Sequence, residues 1–153
     1  MSAKLRKRLL AQWGRESRTS IRLFLDNCPA DCLRICDINL RQKYYTKATI
    51  RESLRRADIL KLNEDELDVI TRLFGFKMAG EEVLWKGGHS FQGTPKVKVV
   101  SAVGAGDSFT GSFIGAYLSG ASIPQAHVLA VQVSAHVCTQ KGAMPVIPAD
   151  LLH

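Results

Sequence analysis

No run of apolar residues in this 153-residue chain approaches the roughly 20 needed to cross a bilayer, so nothing in it reads as a membrane-spanning helix. Aromatic residues are sparse, at 7 %, and are not interleaved with basic ones as in a surface built to stack on nucleic acid. Acidic residues are nearly missing from the start, where Lys4, Arg6, Lys7, Arg8, Arg15, Arg18 and Arg22 face Glu16 alone. Seven minus one places +6 of the net +7 in the first 22 residues. Such a start has the composition of a nucleic-acid patch or an organelle presequence, but a solvated helix face accounts for it more simply. With the remainder nearly neutral, neither nucleic acid nor a membrane is expected as a partner. Histidine is absent around the evenly spaced Cys28, Cys32 and Cys36, and Pro29 interrupts any helix through them. A zinc shell is therefore not expected, and the four cysteines read as free thiols in a reducing, cytoplasmic setting. Internal repeats and low-complexity linkers are lacking too. What remains is a chain of ordinary composition, 46 % hydrophobic and 23 % charged, long enough for one domain with a real core.

The hydrophobic pattern gives this core an α/β rhythm. Residues 33 to 40 (LRICDINL) are short, apolar and bounded by polar residues, as a buried strand requires. Ile50, Leu54 and Ala57 recur at helical spacing behind Thr46, a natural cap. Ile59 to Leu62 reads as a second strand and leads into an acidic helix start at residues 63 to 66, followed by Leu67, Ile70 and Phe74. Strand, helix, strand, helix in this order predicts a parallel sheet with crossover helices. Glycines 80, 87, 88 and 93 punctuate the next stretch, in which Val83 to Trp85 forms a short strand. Lys96 to Ser101 (KVKVVS) alternates and is rich in valine, which predicts a strand. A helix then runs from the turn at Gly104 to about Ser119, stopped by Gly120. Pro124 opens a last helix toward Gln140, with Val128, Val131, Ala135 and Cys138 as its apolar face.

The segment from Val103 to Phe113, VGAGDSFTGSF, carries the chemistry. Glycines on either side of Ala105 let the backbone turn with its amides pointing inward, and at a helix start those amides and the dipole attract a negative charge. A phosphoryl group in transfer presents such a charge. Asp107 follows directly, where it either caps the helix or takes the proton of an attacking hydroxyl, and the helix end favours its ionised form. Asn63 with Glu66 three residues later has the spacing of a capping box. Asp37, Asn39 and Arg41 stand at the C-terminal end of a predicted strand, where open parallel sheets bind ligands; a surface ion pair is the plain alternative for Arg41.

VGAGDSFTGSFIGAYLSG resembles the second signature of the PfkB-type, or ribokinase-like, carbohydrate kinases. DINLRQKYYTKATIRESLRRADILKLNEDEL is similar to the middle of bacterial fructokinase-like members, SFQGTPKVKVV to the approach to the signature, and VCTQKGAMPVIP to the family's end. The resemblance runs from about Leu10 onward, so residues 10–153 are expected to form a partial domain of this family, with residues 1–9 a basic segment unlike it. It implies a truncated ribokinase-like three-layer α/β/α sandwich with a mostly parallel sheet, and transfer of the ATP γ-phosphate, with magnesium, to a sugar hydroxyl, fructose first among candidates. Asp107 would be the base, and Gly104, Ala105 and Gly106 the anion hole. Asn63 and Glu66 would help place magnesium and the ATP phosphates without ligating the metal directly. Asn39 and Arg41 would face the substrate or phosphate, and Gly142 and Ala143 would form a loop beside the nucleotide.

The chain departs from the family at three places. The family's first half has no counterpart, a segment is skipped between Phe76 and Glu81, and Ser101-Ala102 replaces the usual Asp-Thr before the signature. In several members that aspartate helps to hold a monovalent cation. A sheet cut short exposes an edge, so self-association is expected. Two other functions compete with an active kinase: a catalytically silent relative that at most binds nucleotide, and a basic nucleic-acid-binding module.

Overall fold

The structure, a computed structural model, describes residues 5–8, 14–40, 45–75, 81–85 and 88–152. Two compact units divide the chain, Met1–His89 and Ser90–His153. The first unit holds strands β1 (Leu5–Arg8), β2 (Arg34–Asp37), β3 (Ile59–Leu62) and β4 (Glu81–Trp85), with helices α1 (Arg15–Asp26), α2 (Lys47–Arg56) and α3 (Glu64–Phe74). Strand β5 (Gly88–Gln92) bridges the boundary in sequence, and the strand order is β1-β2-β3-β4-β5. β2 runs parallel to β3, as the alternating pattern predicts; β1, which that pattern did not include, runs parallel to β2, and β4 is antiparallel to β3 and makes the sheet mixed.

Local signals explain much of this unit. Thr46 and Asn63 each accept from the backbone amide three residues on, and the Thr49 and Glu66 side chains return the bond, so both α2 and α3 begin with a reciprocal capping box. Gly75, at φ 77°, ends α3 in the left-handed conformation that side chains disfavour. Ile50, Leu67 and Ile70 turn inward onto Cys36, Ile38 and Leu62 to form the core. Removing one such side chain from water contributes about 1.5–3 kcal/mol. On the outside, α1 is tied to α2 by ion pairs between Arg22 and Glu52 and between Arg56 and Asp26.

Three expectations change. Leu5–Arg8, inside the basic start read as a helix face, is a strand, because pairing with β2 supplies an order that its own composition does not encode. The arginines at 15 and 22 do lie on the exposed surface of a helix, α1. Lys96 to Ser101 is not a strand: Val99 and Val100 are 62 % and 51 % exposed, and the Val100 and Ser101 amides both bond the Cys138 carbonyl. Valine content favours a strand only where a pleated surface is there to receive it. Residues 88 to 92, read as irregular, form β5 instead.

The second unit is chiefly a helical hairpin of α4 (Ala105–Leu118) and α5 (Ile123–Cys138). Gly120, at φ 102°, turns the chain between them, and Ser122 with Gln125 forms a third capping box, with Pro124 in the first turn. Val128 is exposed rather than buried; Ala126, Ala130, Val133 and Val137 carry the buried face together with the predicted Val131 and Ala135. The helix is apolar nearly all round, so its periodicity could not single out the buried stripe. Within this unit His127 is fully buried, its Nδ1 2.9 Å from the Ser90 hydroxyl and its ring edge-on to Phe109 at 5.6 Å. No described helix is long and apolar enough to cross a membrane.

Candidate phosphate-binding turn and carboxylate cleft

Gly104 starts α4 at φ 87°, a conformation costly for any L side chain. A β-carbon placed on it would lie 2.2 Å from the Ala143 carbonyl oxygen, so the Gly142-Ala143 loop and the glycine turn pack directly together. Gly142 is itself left-handed, at φ 87°. Sequence reasoning named these residues separately; the structure brings them into contact. The turn is held from behind. Ser108 Oγ and Ser134 Oγ both donate to the Ala105 carbonyl, at 2.8 and 3.1 Å, and Thr110 Oγ1 donates to the Gly106 carbonyl at 2.9 Å. These three hydroxyls were missed. Ser108 and Thr110 lie inside the quoted motif, whereas nothing in the sequence connects Ser134, 29 residues away, to the turn.

Unlike α2, α3 and α5, helix α4 has no side-chain cap. The first amides of any α-helix lack intrahelical partners, and in those three helices a side chain answers one of them. α1 also lacks a side-chain cap, but its Gly14 is extended rather than left-handed. The first turn of α4, where Gly106 and Asp107 are exposed, carries the positive end of the helix dipole, and its Ala105 amide bonds the Ala102 carbonyl at 3.3 Å. Open space, with nothing within 4 Å, surrounds the position a Gly106 β-carbon would take. Such a turn can receive an anion beside an exposed carboxylate.

The other predicted residues meet in the first unit. β2 and β3 run parallel, so the chain leaves both on the same side, at Asp37 and Leu62, and there a cleft of about 250 Å³ is lined by Asn39, Tyr45, Asn63, Asp65 and Glu66 among others. Glu66 Oε2 accepts from the Asn63 amide and Oε1 from the Leu40 amide, each at 3.0 Å, while Asn63 Oδ1 accepts from the Glu66 amide at 2.8 Å. Burial pushes the Glu66 carboxyl above its usual range, opposed by these amide bonds and by Lys61, with the nearby Asp37 adding to the rise. Asp37 and Lys61 are register partners on β2 and β3 and pair at 3.5 Å, both buried. Asn39 holds φ 44°, the one non-glycine left-handed residue among those described, which re-aims the chain after β2. Arg41 and the skipped segment at residues 76 to 80 lie outside the described residues.

With both Glu66 oxygens engaged by amides, the residues present fit a role toward magnesium through bound water rather than direct ligation. Among the described residues, no group of three or more His, Cys, Asp or Glu forms a ready metal cage. Size alone does not mark the chemistry. A larger cleft, about 860 Å³, lies along the second half of α4 and the first half of α5 and is walled mainly by small and apolar residues.

Residues 26–150 match the pfkB family carbohydrate kinase model, and the chain belongs to that family. A curated relative, 2-dehydro-3-deoxygluconokinase of Thermoproteus tenax, is 38 % identical over 84 residues, covering 55 % of this chain and 26 % of its own length. Among solved structures, fructokinase of Vibrio cholerae O395, bound to fructose, ADP and calcium, superimposes with a TM-score of 0.77 at 24 % identity. That match covers 97 % of this chain and 59 % of the fructokinase. Ribokinase of Thermotoga maritima gives a TM-score of 0.69 at 21 % identity, over 97 % of this chain and 55 % of its own. The fold is ribokinase-like, and the chain spans between a quarter and three fifths of the length of these relatives.

Proposed function

We propose that this chain carries the phosphoryl-transfer machinery of a sugar kinase that moves the γ-phosphoryl group of ATP to a carbohydrate hydroxyl. The α4 start, which lacks a side-chain cap, carries this reading: the turn of Gly104, Ala105 and Gly106 receives the transferring group, the Ala105 amide giving up its bond to the Ala102 carbonyl, and Asp107 beside them accepts the hydroxyl proton. When bound, magnesium neutralises phosphate charge. The roles we assign to the remaining residues follow the family resemblance. Asn63 and Glu66 orient water on the metal, Asn39 and Arg41 serve the substrate or phosphate side, and the Gly142-Ala143 loop supports the turn from the nucleotide side.

The acceptor we propose is a 2-keto sugar or sugar acid. The relatives support it through their names, since fructose and 2-dehydro-3-deoxygluconate share the keto group at carbon 2. The test is a coupled ADP-release assay with ATP and magnesium across aldoses, D-fructose and 2-dehydro-3-deoxy-D-gluconate. Turnover that requires a keto acceptor is expected; turnover with aldoses alone would overturn the substrate class. A second reading is a silent relative that binds nucleotide only. It predicts nucleotide binding without acceptor-dependent ADP release.

A further inference from the structure

The hydroxyl of Ser134 departs from the pattern of its neighbours. A serine or threonine inside a helix commonly bonds the carbonyl four residues back on its own helix, as Thr19 does to Arg15, Thr110 to Gly106 and Ser112 to Ser108. Ser134 instead donates across to another helix, to the Ala105 carbonyl at 3.1 Å, where Ser108 Oγ also donates at 2.8 Å. Cys138 lies one turn further along α5 on the same face, and its carbonyl accepts from the Val100 and Ser101 amides. Beyond it, Ala143 packs against Gly104. The C-terminal half of α5 and the loop after it thus grip residues 100 to 105 at three points, and of these Ser134 is the one that reaches α4 itself.

We propose that Ser134 is a positioning residue for phosphoryl transfer, holding and polarising the Ala105–Gly106 peptide so that its amide donates to the transferring group. The proposal rests on the phosphoryl-transfer reading of the turn. The Ala105 carbonyl and the Gly106 amide are two ends of one peptide unit, so a donor on the carbonyl draws electron density from the nitrogen and strengthens the N–H as a donor. That N–H is placed to respond. The Ala105 amide bonds the Ala102 carbonyl, whereas the Gly106 amide has no backbone acceptor among the described residues, and Gly106 is exposed. During transfer the acceptor oxygen bonds phosphorus as the bond to the ADP oxygen breaks, the hydroxyl proton passes to Asp107, and negative charge spreads over the phosphoryl oxygens. A fixed, polarised amide answers that charge more than it answers bound ATP, so Ser134 acts on the rate of turnover rather than on binding.

The experiment compares the full chain with Ser134→Ala and Ser134→Thr in acceptor-dependent ADP release and in the amide NMR spectrum. Ser134→Ala is expected to lower kcat by about threefold to tenfold, with KM for ATP and acceptor kept within about twofold. Ser134→Thr, which keeps the hydroxyl, should recover most of the loss. If the threonine variant folds poorly in thermal melts, Ser134→Cys, of similar size with a weaker donor, should fall between the parent and Ser134→Ala. The Gly106 amide proton should move upfield in Ser134→Ala and return in Ser134→Thr, a readout that needs no turnover. Ser112→Ala is the control: its hydroxyl bonds the Ser108 and Phe109 carbonyls further along α4, and its loss should leave kcat and the Gly106 resonance unchanged. An unmoved Gly106 resonance, full kcat in Ser134→Ala, or a loss expressed in KM alone would overturn the proposal. Absence of ADP release from the parent itself would instead overturn the reading on which it rests.

Discussion

Gly104 carries two constraints at once, a left-handed backbone and a carbonyl oxygen where its β-carbon would be; Gly106, two residues on, carries neither. That contrast separates folding from chemistry. Gly104→Ala is expected to lower stability by more than about 2 kcal/mol in urea or thermal unfolding, through the strained backbone and the clash with Ala143. Gly106→Ala sits inside a helix with free space and should fold as well as the parent, or up to about 1 kcal/mol better. If a phosphoryl group approaches that backbone closely, the same variant should still lose about tenfold or more in turnover. Glu66 allows a second test at this scale. Its two oxygens face two amide donors, so Glu66→Gln turns an NH₂ group toward one of them and should cost about 1–3 kcal/mol in unfolding, although it removes a buried charge.

Among the secondary-structure elements, the legible ones were those whose signals are local. Thr46, Asn63 and Ser122 cap helices with the partners their spacing implies, and Asn63→Ala is expected to cost about 0.5–2 kcal/mol by chemical denaturation. The β2–α2–β3–α3 succession followed from apolar periodicity alone, because each element buries one face in a shared core. Elements settled by distant partners were not legible. The valines at 97, 99 and 100 have the propensity of a strand, yet that segment docks its amides on the end of α5; residues 88 to 92 have weak propensity and are a strand. The candidate site divides in the same way. The glycine turn and the Asn63-Glu66 pair announce themselves by spacing, whereas the Ser134 bond to Ala105 and the Leu40 amide on Glu66 depend on how remote segments come to rest.

For the molecule as a whole, acid is expected to act through His127. Burial holds its imidazole down at about 4, against an ordinary value of 6.5, and its Nε2 has no hydrogen-bond partner among the described residues. The unfolded chain therefore binds more protons between these values. The stability contributed by neutral His127 is complete above about pH 6.5 and is lost as pH falls toward 4, by on the order of 2–3 kcal/mol. Thermal melts from pH 7.5 to 4.5 should show this slope, and His127→Leu should flatten it. We also expect the chain to self-associate, with exposed Leu23, Phe24, Val99 and Val100 available for contact; light scattering at rising concentration checks this. The central claim concerns Asp107 as the proton acceptor beside the glycine turn, and its most direct test is keto-sugar-dependent ADP release by the parent and Asp107→Asn, with ADP affinity measured by calorimetry. The expected result is a fall in turnover of about 10²–10⁴-fold with ADP affinity kept within about threefold. Equal turnover in the two proteins would contradict the account.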